Sequence, residues 1–158
     1  MSASRLTAMA WPNVPTGVLA VPVGSTEQHG PHLPVTTDTD IAEAIVNGLS
    51  DRRADVLVAP AVSYGSSGEH AGFPGTLSIG REATELVLVE LGRSGADSFE
   101  RTLLVSTHGG NADPVNQAVS RKETETRFKP AQPARSSRPP GRYEEAEVRA
   151  RFCCAESG

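Results

Sequence analysis

The sequence predicts an α/β fold: a three-layer α/β/α sandwich around a mostly parallel sheet, incomplete at its carboxyl-terminal end. Three observations predict it. The apolar runs at residues 17–23 (GVLAVPV), 56–62 (VLVAPAV) and 103–105 (LLV) lack the alternation of half-exposed strands and read as strands covered on both faces. Each run leads into a polar or glycine-rich segment and then a stretch with helical spacing, an order that favours parallel strands joined by helical crossovers. With 158 residues, 37% of them hydrophobic, the chain has room for one domain with a real core and no need of a second.

Taken in order, the first strand ends close to Pro22, which has no N–H to give a ladder. Asp38, Thr39 or Asp40 is placed to cap a helix whose Ile41, Ala44, Ile45 and Leu49 fall on one face, expected to pack on the sheet. The second strand runs into SYGSSGEHAGFPGTLSIG, whose glycines and serines mark a long functional loop. Residues 82–95 then form a helix with apolar residues at 86–89 and at Leu91. The third strand delivers Ser106, Thr107 and His108 at its end, and Asp113 with Pro114 opens a helix through Val115 and Val119.

From about Lys122 the composition changes: no Leu or Ile follows, and Pro, Arg, Ser and Glu dominate. Residues 1–121 are thus expected to form the domain and 122–158 a disordered or non-native-like tail, with a linker at 130–142 and at most a short charged helix over 143–152. The formal charge of -4 is uneven, since residues 121–158 carry nine Lys and Arg against six acids. That tail is broken by Glu144, Glu145 and Glu147 and lacks interleaved aromatics, which argues against a nucleic-acid or membrane partner. No run approaches the roughly 20 apolar residues of a membrane span, and the first ten residues lack the apolar block of a secretory signal, so a cytoplasmic protein is expected. The cysteines occur only as the pair Cys153 and Cys154, leaving histidines and carboxylates as the available metal donors.

Residues 24–40 (GSTEQHGPHLPVTTDTD) hold two of the four histidines and the acids Glu27 and Asp38. Glu27 and His29 are two apart, so a persisting strand geometry points both to one side, where a carboxylate oxygen and an imidazole nitrogen can share a cation. Glu69 and His70, in the long loop, are open to three readings: contact with substrate, orientation of a ligand, or plain solvation. Ser66 and Ser67 have hydroxyls that suit a substrate or simply a solvated loop, Asn111 a side chain for holding its loop or touching a ligand, and His32 one for tying down a turn or supporting a metal ligand.

The pattern E-x-H-(x8)-D within GSTEQHGPHLPVTTD resembles the signature of the creatininase family of metal-dependent amidohydrolases. SYGSSGEHAGFPGTLS is similar to that family's central glycine-rich loop, and STHGGN to its NGHGGN turn, in the same order, over residues 17–119. The resemblance implies a creatininase-like fold and makes Glu27, His29, Asp38 and His108 the catalytic metal ligands, with Asp38 bridging two divalent ions. It implies Zn, Mn or Fe as the metal, amide hydrolysis by a metal-activated water, and a homo-oligomer. Ser67, Glu69, His70 and Asn111 are then candidates for substrate contact or for support of the ligands. The wording STEQHGPHLP and SGEHAGFPGTLS is closest to members that trim the carboxyl end of a small precursor peptide. Cyclic-amide hydrolysis of the creatinine type, formamide hydrolysis and an inactive metal-binding remnant are the alternatives. Two departures qualify the match: the position two beyond His108 is Gly110 where the creatininase itself has glutamate, and no HAGxxET-like segment follows Val119. A carboxyl-truncated member, through a shifted reading frame, is the expectation they motivate.

Overall fold

The computed structural model describes residues 4–126 and 147–152. Strand β1 (Val18–Val23) lies inside the sheet, paired in parallel with β2 (Val56–Val58) on one side and β3 (Arg101–Ser106) on the other. A fourth strand, β4 (Glu147–Phe152), pairs in parallel with β3, giving the order β2-β1-β3-β4. Between the strands run α1 (Thr37–Arg52), α2 (Arg81–Gly95) and, after β3, α3 (Ala112–Thr126).

Successive residues of a strand point to opposite faces, so an all-apolar strand needs cover on both. Leu19, Val21 and Val23 pack with Leu57, Leu104, the α2 residues Leu88 and Val89, and the α3 residues Val115 and Ala118. On the other face Ala20 packs with Val56, Val58, Val105 and Val46 of α1. The layers are therefore α1, sheet, and α2 with α3, the expected three-layer sandwich.

The structure corrects four local readings. The face α1 turns to the sheet carries Ala42, Val46 and Ser50, whereas Ile41 and Ile45 are 46% and 40% exposed. The Ser50 hydroxyl donates to the carbonyl of Val56 at 2.8 Å and so ties this face of α1 to β2, with Val46 and Ala42 buried beside it. The second apolar run forms a ladder only as Val56–Val58, with isolated bridges from Val58 to Arg5 and from Val62 to Val23, because Pro60 interrupts it. Asp38 and Asp113 lie inside the first turns of their helices rather than capping them. A carboxylate there faces the positive end of the helix dipole. Residues 147–152 form a strand instead of part of a short helix: EVRARF alternates at period two, and that pattern outweighs its charge. The expected linker at 130–142 lies outside the described residues. Among the described residues, no helix is long and apolar enough to cross a membrane.

Candidate metal centre

Adjacent strands β1 and β3 lead into helices on opposite faces of the sheet, α1 on one and α3 on the other. Their connections therefore leave the carboxyl ends of these strands toward opposite faces, and the space beyond those ends is the usual ligand position in open parallel sheets. All three chemical segments of the sequence follow strands at this end.

Backbone-directed bonds fasten them together. The Asn111 side chain, fully buried, donates from Nδ2 to the Gly24 carbonyl at 2.8 Å and accepts at Oδ1 from the Ser66 N–H at 2.9 Å. Thr107 Oγ1 donates to the Asp38 carbonyl at 2.6 Å, and Thr26 Oγ1 to the Ser63 carbonyl at 2.7 Å. Gly24 must be glycine for lack of room, since a Cβ there would lie 2.5 Å from the Cα and 2.6 Å from the N of Thr39. The end of β1 and the first turn of α1 thus touch backbone to backbone, which brings Asp38 beside Glu27.

Asp38 meets both site histidines. Its Oδ1 lies 3.1 Å from His29 Nε2 and its Oδ2 3.2 Å from His108 Nδ1, while Ser25 Oγ donates to Oδ2 at 2.5 Å. Glu27 Oε1 is 3.3 Å from His108 Nδ1 and 3.4 Å from His70 Nε2. Each site histidine has its other nitrogen on a main-chain carbonyl: His29 Nδ1 on Glu27 O at 3.1 Å, His108 Nε2 on Ser66 O at 2.9 Å. A carbonyl only accepts, so those nitrogens carry protons. The remaining nitrogens, if neutral, aim lone pairs at carboxylates, an arrangement that needs a cation or a second proton between them.

The electrostatics follow. Burial alone would push the Asp38 carboxyl up, but hydrogen bonds from His108 and Ser25 and the charges of His29 and His108 outweigh it and hold Asp38 below the ordinary carboxylate range. Burial likewise pulls His108 down, and its bonds to Asp38 and the Ser66 carbonyl, with the charges of Glu27 and Asp38, raise it above the usual histidine value. A proton on His108 thus does the work of a cation.

The donor set also suits a metal. Glu27, His29 and Asp38 present ligand atoms within 4.8 Å of one another, and so do Glu27, Glu69 and His108. Bonds of about 2.0–2.1 Å to a tetrahedral ion put its donors about 3.3 Å apart, and the contacts of 3.1 to 3.3 Å among Glu27, His29, Asp38 and His108 match that spacing. Glu27 Oε2 is buried with no hydrogen-bond partner, a cost that a cation would remove.

The four residues expected as ligands, Glu27, His29, Asp38 and His108, are thus brought together. Glu69 and His70 reach the same site, Glu69 Oε1 standing 3.8 Å from His108 Nε2. Gly110 makes that approach possible, because a Cβ there would be 2.5 Å from His108 Nε2 and 2.8 Å from Glu69 Oε1. Ser67 is fully buried with its hydroxyl unpartnered, which removes it from the surface a substrate touches, and His32 is exposed away from both donor groups. Asn111 holds loops together, and Ser66 contributes its carbonyl rather than its hydroxyl. Ser25 and Gln28 carry no expectation from the sequence, and Thr107 only that of standing at the end of a strand. Ser25, two positions before Glu27, was the most findable, since a hydroxyl beside a ligand carboxylate often orients it.

An open parallel sheet that gathers imidazoles and carboxylates beyond its strand ends defines an α/β protein with a candidate metal centre. The sequence profile of the family described as creatininase, creatinine amidohydrolase, matches residues 7–152, and this chain belongs to the creatininase family. It is 52% identical over 108 residues to the mycofactocin precursor peptide peptidase of Mycolicibacterium smegmatis, an alignment covering 65% of this chain and 44% of that protein. To the protein of the same name from Mycobacterium tuberculosis it is 46% identical over 118 residues, covering 69% and 47%. To the creatinine amidohydrolase of Pseudomonas putida it is 32% identical over 120 residues, covering 70% and 45%. The chain therefore spans about half the length of the curated relatives it matches. Among solved structures, a creatinine amidohydrolase (creatininase) superposes with a TM-score of 0.72 at 25% identity, over 80% of this chain and 53% of that one. A variant creatininase of the Zn–Zn type gives 0.66 at 26%, over 81% and 54%.

Proposed function

We propose that this chain carries the metal-binding part of a divalent-metal-dependent amide hydrolase that trims the carboxyl end of the mycofactocin precursor peptide. The observation that carries the reading is that His29 and His108 each give one N–H to a backbone carbonyl and turn the other nitrogen to Asp38. Higher identity to the peptidases than to the creatinine amidohydrolase supports a peptide over a cyclic amide as substrate. The Zn–Zn and manganese forms of related creatininases support a pair of divalent ions, zinc or manganese, as the metal.

Glu27, His29, Asp38 and His108 would hold the metal. What a divalent ion supplies there is Lewis acidity, making an amide carbonyl more electrophilic and water more acidic near neutral pH. Asp38 uses separate oxygens for the two histidines, which suits a bridging carboxylate, and Ser25 fixes its rotation. The Ser66 carbonyl keeps the His108 proton on Nε2 and so leaves Nδ1 to bind. The test is to incubate the metal-loaded chain with the precursor peptide and weigh the products by mass spectrometry. A shortened peptide is expected; an intact peptide with metal demonstrably bound counts against the reading.

A further inference from the structure

The geometry points to His70 as a positioning residue of this centre: an imidazole held by Gln28 with its Nε2–H turned to Glu27, which it orients rather than binding metal. The inference rests on the metal reading above and extends it to two residues outside the ligand set.

It begins at an atom with no freedom. The Gly30 backbone N–H can only donate, and it meets Gln28 Oε1 at 2.9 Å. That contact fixes which end of the Gln28 amide is oxygen, so Nε2 is the end that faces His70 Nδ1 at 2.8 Å. An amide NH₂ only donates, so Nδ1 must accept and the imidazole proton sits on Nε2. Nε2 in turn faces Glu27 Oε1 at 3.4 Å, presenting an N–H dipole to a buried carboxylate whose second oxygen has no partner.

His70 therefore has the opposite polarity from His29 and His108. Those two each give one N–H to a carbonyl and turn the other nitrogen to a carboxylate, where a proton or a cation must sit. His70 turns an N–H to its carboxylate and keeps Nδ1 on the Gln28 amide. Ligating carboxylates are commonly oriented by donors outside the ligand set, and removing such a partner weakens metal binding about 10- to 100-fold; at 3.4 Å the His70 Nε2–H approaches Glu27 as a dipole rather than in a short hydrogen bond. Gly30 and Gln28 belong to the connection after β1 and His70 to the loop after β2, so the relay also docks that loop onto the site. Gly30, at a φ of 77°, is left-handed, a conformation that aims its N–H back at Gln28 and that other residues adopt at a cost.

Two measurements on the full chain test this. In the metal-free protein, long-range ¹⁵N–¹H spectra should show His70 protonated on Nε2 alone, and Gln28→Ala should release that preference. His70 protonated on Nδ1 overturns the relay whatever the metal does. In metal titrations with Zn²⁺ against a chromophoric chelator, His70→Ala should bind about tenfold more weakly or worse at unchanged stoichiometry. His70→Gln, whose amide N–H reaches the position of Nε2, should recover most of that loss. Equal loss in His70→Gln and His70→Ala, or loss of an ion from the stoichiometry, would make His70 a ligand and sink the proposal. Wild-type affinity in both variants sinks it as well. A wild-type chain that takes up no zinc, with the His70 tautomer as expected, fails the metal reading and with it the positioning role.

Discussion

Asp38 and His108 meet beyond the strand ends with 3.2 Å between Oδ2 and Nδ1, and the Asp38 carboxyl is held low while the His108 imidazole is held high. A metal that uses Nδ1 must displace the proton there, so binding and protonation compete.

Metal affinity should therefore depend on pH through His108. Above its raised value affinity is flat; below it, affinity falls about tenfold per pH unit from this one proton. Ion-free stability has the opposite sign for this residue. A raised histidine stabilises fully below its unfolded value of 6.5 and loses that contribution as pH climbs through the folded value. Asp38, lowered, stabilises above 3.8 and loses its contribution as pH falls through its folded value. Urea denaturation of the metal-free chain should thus show the pair's joint contribution greatest between about pH 4 and 6.5. A contribution that grows from pH 6.5 to 9 would show His108 is not raised.

Because Asp38 reaches both histidines through separate oxygens, its loss should differ in kind from the loss of one histidine. Asp38→Asn is expected to abolish tight zinc uptake. His29→Ala should leave one ion on Glu27, Asp38 and His108. Metal analysis after gel filtration reads the stoichiometry directly, and equal loss in both variants would contradict a bridging Asp38.

The ligand set was legible because side chains carry it: Glu27, His29, Asp38 and His108 sit in recognisable spacings. The Ser66 carbonyl, the Gly30 N–H and the room left by Gly110 were not, since main-chain groups look alike in every sequence. Elements were legible and their faces less so. Apolar periodicity chose Ile41 and Ile45 for the core, but the buried face carries Ala42 and Ser50, whose hydroxyl bonds to the Val56 carbonyl. The strand at 147–152 was hidden by the charge and proline content around it, although its alternation was there to read.

Helix α2 offers a matched test of face assignment. Leu88 is 1% exposed and Leu86 is 53% exposed, the same residue type two positions apart. Leu88→Ala should cost about 2–5 kcal/mol through lost burial and a residual cavity. Leu86→Ala should stay within about 0.5 kcal/mol. Chemical denaturation of both variants measures the difference, and similar costs would mean α2 is rotated from the face described.

Gly24 and Thr39 form the join that builds the site. At Gly24 an added methyl would meet the backbone of Thr39, not a side chain that can swing away, with its N at 2.6 Å and its Cα at 2.5 Å. Gly24→Ala must therefore push the first turn of α1 off the end of β1, at a cost of about 1–3 kcal/mol or more. The same shift carries Asp38 away from Glu27 and His108, so zinc affinity should fall together with stability, although no ligand has changed. Gly68→Ala is the control, since a Cβ at Gly68 meets nothing within 4 Å. Its stability and zinc affinity should stay close to wild type. If Gly24→Ala also keeps wild-type zinc affinity, the contact between β1 and α1 does not set the position of Asp38.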